Sequence, residues 1–301
     1  MELAVPSQPQ RLGPSHRTLV LRYLRRNKSL AVGLAILMFL ILFSVVGSMV
    51  VDTGTLAYPL AVAPLQPPGA QYLLGTDKDG RDLLAVMIRG IILTGSIGLM
   101  AGTVGITVGV VLGFMAGFFG GLFDTITRWV TEVLLTIPSL ILLIIIAGTI
   151  VDKNQVTIFT MAGVTSLLAW VGPTRVVRAQ VLTMKESTYV SVAKLSGMGS
   201  MEIIFKELMP NLLPFLVASF VGQLMGAIYA SFGLEILGLG PAREPTLGMT
   251  IYWAVFNSAM FNQWWWWILW PIVAMVLIFT SLSLINLGLD EVANPRVRRT
   301  E

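Results

Sequence analysis

Apolar residues recur along this chain in six long runs, at 30–51, 91–117, 132–151, 155–172, 215–232 and 270–289, separated by polar segments of unequal length. The first run holds 22 residues without one charge. As a helix rising 1.5 Å per residue it reaches ~33 Å, enough to cross a hydrocarbon core. A cleavable signal peptide would have a shorter apolar region ending in a small-x-small site, which is absent here, so this run reads as an uncleaved first span. The third run has Pro138 near its start, and Glu132 is expected at the interface because burying a carboxylate in hydrocarbon is costly. The pattern predicts an all-α integral membrane protein with six transmembrane helices. Residues 1–29 and 290–301 then form polar tails.

One segment departs from this pattern. Residues 186–214, ESTYVSVAKLSGMGSMEIIFKELMPNLLP, form a charged island between the fourth and fifth runs. Its apolar residues fall at helical spacing in two groups, Tyr189, Val190, Ala193 and Leu195, then Met201, Ile204, Phe205 and Leu208. Gly197-Met198-Gly199 separates them, and glycine permits a sharp turn without a Cβ clash. Pro210 and Pro214 open the next run, where a missing N–H is tolerated. A helical elbow too polar to span lipid is suited to pressing against another protein. A surface loop lying on the membrane fits the spacing equally well.

Two other patterns carry candidate roles. In the second run Gly95, Gly98, Gly102, Gly105, Gly109, Gly113 and Gly117 recur at steps of three or four, so they share one face. Such stripes let helix backbones approach closely, so bundle packing is the preferred reading; lining a translocation path is the alternative. Ahead of that run, Gly75–Leu84 reads GTDKDGRDLL. Asp77 or Asp79 is expected to cap a helix running from Gly80 toward Arg89, with Arg81 and Asp82 on its polar side. A cation site built from Asp77, Asp79 and Asp82 is disfavoured, because Lys78 and Arg81 interleave the acids without EF-hand spacing. Trp264–Trp267 is expected to sit at headgroup depth as an aromatic belt, with sugar stacking the sharper alternative.

Composition narrows the chemistry. The chain is 55% hydrophobic and 12% charged, with mean hydropathy +0.80, which identifies a membrane protein before any motif is read. It has no cysteine and one histidine, His16 in the polar tail, so disulfides and thiolate or histidine metal sites are excluded. With the N-terminus inside, 15 of the 20 Lys and Arg residues fall on the cytoplasmic side. Both termini and the 186–214 island are therefore expected in the cytoplasm. The basic balance is topological, and no nucleic-acid partner is implied. No G-x-x-x-x-G-K-[ST] loop is present, and no charge pair sits mid-span as ion coupling would require.

The 186–214 island resembles the cytoplasmic EAA loop of ABC-importer permeases, specifically the C-type subunit of the dipeptide/oligopeptide/nickel class. That loop reads roughly E-A-A-x-x-x-G, about nine residues, then x-x-P-N-x-x-P. Ala193, Gly197, Pro210, Asn211 and Pro214 fall on the pattern. Ser191 stands in place of the usual glutamate, Val192 of the second alanine and Glu207 of the histidine. Two further anchors are similar to the family, the GTDKDGRD segment (Gly75, Asp77, Gly80, Arg81, Asp82) and the phrase EILGLGPAREPTLG, in which Glu235 and Ile236 depart. The resemblance covers residues 22 to 296.

The resemblance implies a multi-pass permease of the cell membrane, itself no enzyme and with no cofactor on this chain. It implies a homologous second permease, two cytoplasmic ATPase subunits that carry ATP and Mg, and an extracytoplasmic solute-binding protein. Ala193, Lys194, Leu195, Gly197, Met198, Glu202, Pro210 and Asn211 would couple to an ATPase, with Leu195 and Met198 as apolar anchors and Glu186, Lys194, Glu202 and Lys206 as a polar rim. Gly98, Gly102, Gly105 and Gly109 would serve helix packing. Short peptides are the default cargo and short oligosaccharides the alternative. A stand-alone channel or facilitator and a membrane scaffold are the rivals from other classes.

Overall fold

The computed structural model describes residues 27–150 and 156–293. The tail up to residue 26, with His16, the expected turn at 152–154 and the last residues of the C-terminal tail lie outside the described residues. Within them the chain is helical, with one isolated bridge between Thr76 and Asp82. Four helices are long and apolar enough to cross a membrane, or five when one bent pair is taken as a single span.

The first helix, α1 (Lys28–Val50), opens on Asn27, whose side chain accepts the Leu30 N–H at 3.0 Å. The same side chain donates to the Gly288 carbonyl at 3.1 Å on the last helix, α12 (Trp265–Ala293). Glycine on both sides makes this crossing close. A Cβ on Gly33 would lie 2.8 Å from the Ser281 carbonyl oxygen, and one on Gly288 would lie 2.6 Å from Leu30 Cβ. The opposite side of α1, with Met38, Phe39, Leu42 and Val46, is exposed, as a lipid-facing helix requires.

After the single turn α2 (Thr53–Leu56) and a long loop comes α3 (Leu83–Phe119), the central element. Its 37 residues make ~55 Å of helix. It begins eight residues before the apolar run because Asp82 caps it, accepting the Leu84 N–H at 2.9 Å. It ends at Gly120, where φ is +69°. One core cluster gathers Leu40 of α1, Val86, Met87 and Ile91 of α3, and Met275, Ile278 and Leu282 of α12.

The expected span over 132–151 is not one helix. Instead α4 (Gly121–Thr136) and α5 (Ser139–Ile150) meet at 90°, separated by Ile137-Pro138. Ile137 is extended at φ −91°, ψ +131°, the conformation a following proline enforces. The fourth run yields the 12-residue α6 (Ile158–Ala169), shorter than 155–172. One turn at Trp170 joins it to α7 (Val171–Lys185). Then follow α8 (Thr188–Leu195), α9 (Ser200–Ile203), a π turn at Ile204–Leu208 and α10 (Met209–Ile236). The fifth run is thus longer at both ends than 215–232. A short helix, α11 (Leu247–Phe256), precedes α12, which extends through Asp290 to Ala293.

Candidate functional site: an elbow with two apolar faces

Between α8 and α9 the chain makes a tight, fully specified turn. Met198 N–H donates to the Ala193 carbonyl at 3.1 Å and Gly197 N–H to the Lys194 carbonyl at 3.0 Å. This pair of nested bonds closes a helix with a left-handed residue, here Gly197 at φ +82°. Gly199, extended, starts α9. Just beyond, the π turn ends where Pro210 follows, and the Met209 N–H reaches back to the Ile204 carbonyl. Proline has no N–H to continue the ladder. Asn211 adds a side-chain donor at this point, its amide bonding the Glu207 carbonyl at 2.6 Å.

The apolar residues of the elbow divide into two sets. Val190, Ala193, Ile203, Ile204 and Leu208 point inward, where they pack with Phe114 of α3 and Val177 and Val181 of α7. Val190 and Leu208 are completely buried. Tyr189, Val192, Leu195, Met201 and Phe205 face out, and Leu195 is 89% exposed. The sequence pattern merged these sets into one stripe per helix. It also paired Met198 with Leu195, whereas Met198 is half-buried against the inward cluster. Lys194 is exposed. Glu202 and Lys206 form an exposed ion pair at 2.6 Å, four residues apart on one face. Such surface pairs contribute little to stability.

The glycine stripe of α3 holds the elbow's foundation in place. A Cβ on Gly98 would lie 2.3 Å from Ile228 Cγ1, and one on Gly102 would lie 3.0 Å from Leu224 Cα, both on α10. Gly105 and Gly109 instead meet Ala169 and Pro173, and Gly113 and Gly117 meet Val177 and Val181 of α7. Gly95 alone of the seven faces open space. One stripe therefore serves three partners, α10 above and α6 and α7 below. At the level of the elbow, Arg178 of α7 grips Asp124 of α4 through two donors on one guanidinium edge, Nε to Oδ1 and Nη2 to Oδ2, the latter at 2.7 Å. Sequence reading did not find this pair, because 54 residues separate its members.

On the other side of the bundle, the 75–82 segment forms a cap over the N-terminal end of α12. Trp266 Nε1 donates to the Thr76 carbonyl at 3.2 Å. Gly75, at φ +80°, leaves room for that indole, since a Cβ there would lie 2.7 Å from Trp266 Cδ1. Gly80 lies under the Val62 carbonyl in the same way. The helix cap is Asp82 and not Asp77 or Asp79 as expected. Asp77 is buried and accepts the Arg81 N–H at 2.8 Å. The Arg81 guanidinium lies between Asp77 and Asp79, at 3.8 and 3.6 Å. Burial pushes the Asp77 carboxyl up to about 6, against the opposing pull of the Arg81 N–H and charge. Burial likewise raises Asp82, opposed by the Leu84 N–H. Among the described residues no three acids or histidines gather around one point.

The tryptophan run is also placed differently from expectation. Trp266 and Trp267 are buried in protein with Leu83, Ala254 and Ala259, and only Trp265 is mainly exposed. A full aromatic belt or a sugar-stacking platform needs open indole faces. This cluster is mostly an interior joint. Sequence could not separate these cases, because successive residues at the start of a helix point in different directions.

Residues 109–299 match the family model described as "Binding-protein-dependent transport system inner membrane component". Residues 16–68 match the "N-terminal TM domain of oligopeptide transport permease C". The chain is 30% identical over 287 residues to the oligopeptide transport system permease protein OppC of Mycobacterium tuberculosis (strain ATCC 25618 / H37Rv), covering 94% of this chain and 96% of that one. It is 30% identical to the dipeptide transport system permease protein DppC of Bacillus subtilis (strain 168), over 92% of this chain and 85% of the relative. To a putative peptide transport system permease protein of Brucella abortus it is 29% identical, over 99% and 98%.

Proposed function

This chain belongs to the family of binding-protein-dependent transport system inner membrane components, a multi-pass membrane permease, and on that premise we propose that it is one half of the translocation path of an ATP-driven peptide importer. A homologous permease supplies the other half, two cytoplasmic ATPases supply the energy, and an extracytoplasmic binding protein delivers the cargo. Relatives named for oligopeptide, dipeptide and peptide transport support short peptides as that cargo. With Trp266 and Trp267 buried, the tryptophan cluster lends no support to oligosaccharides. The chain crosses the membrane six times in this reading, through α1, α3, the bent α4–α5 pair, α6–α7, α10 and α12, with both termini cytoplasmic.

The observation that carries the reading is the division of the elbow into two apolar faces. One face is spent on α3 and α7; the other, Tyr189, Val192, Leu195, Met201 and Phe205, is left uncovered on a segment too charged for lipid. A helix presenting apolar anchors in this way fits a groove on a partner protein. The residues proposed for coupling are Ala193, Lys194, Leu195, Gly197, Met198, Glu202, Pro210 and Asn211; of these Leu195, Lys194 and Glu202 meet the partner, together with the uncovered apolar face, and Gly197, Pro210 and Asn211 shape the elbow. Ala193 and Met198 act from behind, by seating the elbow. ATP-driven closure of the ATPases would displace the elbow and tilt the spans above it between two packed states.

Affinity purification of this chain from its native membrane in mild detergent tests the reading. A second permease and ATPase subunits should be recovered with it. Leu195→Asp should lose the ATPases and leave the melting temperature of the chain unmoved, because that side chain has no packing to lose. Recovery of this chain alone, passing solute in vesicles without ATP, would overturn the importer and favour a facilitator.

A further inference from the structure

Glu235 lies in the last turn of α10, completely buried. It is one of the two residues that depart from the family phrase at this point. Its carboxylate accepts the Ser231 hydroxyl on Oε1 and the Thr246 hydroxyl on Oε2, each at 2.8 Å. The backbone amides of Gly248 and Met249 also donate toward it. Thr246 in turn caps α11, accepting the Met249 N–H at 3.3 Å. One carboxylate therefore holds the N-terminus of α11, where amide donors and the helix dipole favour an anion.

The surroundings are shaped to this side chain. A Cβ on Gly248 would lie 2.3 Å from Oε2, and one on Gly240 would lie 2.6 Å from Cγ. The held segment is fixed in turn to the outer block. Leu247 N–H donates to Thr94 Oγ1 of α3 at 3.1 Å, and Ala254 packs with Trp267 of α12. Through Glu235 the outer end of α10 is thus bonded to a body built from α3, α11 and α12. The opposite end of the same helical stretch, Ser200–Ile236, begins at the elbow, 37 residues or ~55 Å away.

We infer that Glu235 is the fixed point of α10, a positioning residue that converts displacement of the elbow into tilt of the helix by preventing its outer end from sliding. This rests on the coupling role proposed above. A rod free at both ends would translate when pushed, and the outer mouth would not respond as a hinge. A rod pinned at one end must swing.

The chain contains no cysteine, so pairs of spin labels can be placed without removing native thiols. In the purified importer complex, one pair would join Leu60→Cys and Leu237→Cys across the outer end, both exposed positions. A second would join Leu213→Cys and Leu287→Cys across the inner end, also exposed and outside the docking face. Distances are read without nucleotide and with ATP trapped. In the parent chain the inner distance should shift on trapping while the outer distance stays sharp and unmoved. In Glu235→Gln, which keeps the shape, and in Glu235→Ala, the outer distance should lose its sharpness and the inner shift should shrink. An outer distance that stays sharp in both variants while the inner end still shifts fully would overturn the inference and spare the coupling role. So would an outer shift in the parent chain as large as the inner one. An inner end that ignores nucleotide in the parent chain would instead overturn the coupling role, and the inference with it.

Discussion

Gly109 and Pro173 touch so closely that a Cβ added to the glycine would lie 2.5 Å from the proline Cβ. No real pair of carbon atoms tolerates that separation, and a proline ring cannot swing aside. The contact lies midway along the line where α3 meets α6 and α7, so it sets the spacing of the helix that leads into the elbow.

Gly109→Val should therefore force α7 outward. Overpacking of a filled interior typically costs about 1–3 kcal/mol, and this site has no flexible neighbour to absorb it. Thermal unfolding in detergent should show a clear loss of stability for Gly109→Val. Gly95→Ala, with open space around it, should leave the transition where it is or raise it slightly, since alanine is the better helix former.

Gly197→Val places a β-branched residue at φ +82°, a conformation that costs L-residues roughly 1–2 kcal/mol. That cost is too small to unfold the bundle but falls wholly on the turn between α8 and α9. If the proposed importer holds, the variant should insert and assemble, leave ATP hydrolysis by the ATPase subunits intact, and lose uptake. Uptake at the parent rate per ATP hydrolysed would count against the elbow as the moving part.

Asp124 and Arg178 form a two-pronged, partly sheltered ion pair, so removing one partner leaves a charge without its donors or acceptors. Hydrogen bonds to charged groups contribute roughly 1.5–3 kcal/mol. Asp124→Ala and Arg178→Ala should each loosen α4 from α7, seen as faster proteolysis near Gly120. The double variant should cost less than the two losses added together. Additive losses would show that the two side chains act independently.

Asp77 makes the 75–82 cap sensitive to pH. A carboxyl whose pKa stands at about 6 in the fold binds its proton more tightly folded than unfolded. Its contribution is complete below the ordinary carboxylate range near 4 and is lost as pH rises through 6. The full effect is at most roughly 3 kcal/mol, given 1.36 kcal/mol per pKa unit. Hydrogen exchange at the amides of residues 75–82, corrected for the intrinsic rate, should show the cap opening more readily at pH 7 than at pH 4.5. Asp77→Asn should remove that dependence. An identical slope in the variant would place its origin elsewhere.

Much of the architecture was readable from local pattern. Charge-free runs of this length have only one conformation that satisfies the backbone in lipid, so an all-helical membrane protein followed from counting. A sharp turn across Gly197-Met198-Gly199 followed from two groups of helically spaced apolar residues with glycines between them; that Gly197 is the left-handed residue came from the structure. Ends and breaks were less legible. Asp82, not Asp77 or Asp79, became the cap of α3 because the Thr76–Asp82 bridge closes the preceding loop. The expected 132–151 span divided at Pro138, where the bend follows proline's effect on Ile137 but its 90° angle does not.

By itself, then, the sequence determined the helical class, the membrane setting and the family resemblance, because each depends on residues close together in the chain. Only the tertiary structure decided which apolar face of the elbow is spent on the bundle, how one glycine stripe serves α6, α7 and α10, and why Trp266 and Trp267 lie inside. It alone joined Asp124 to Arg178 and closed Thr246 and the α11 amides around Glu235. These outcomes depend on which side of a helix another helix occupies. Helical periodicity places residues on a common face, but only packing in three dimensions decides what that face meets.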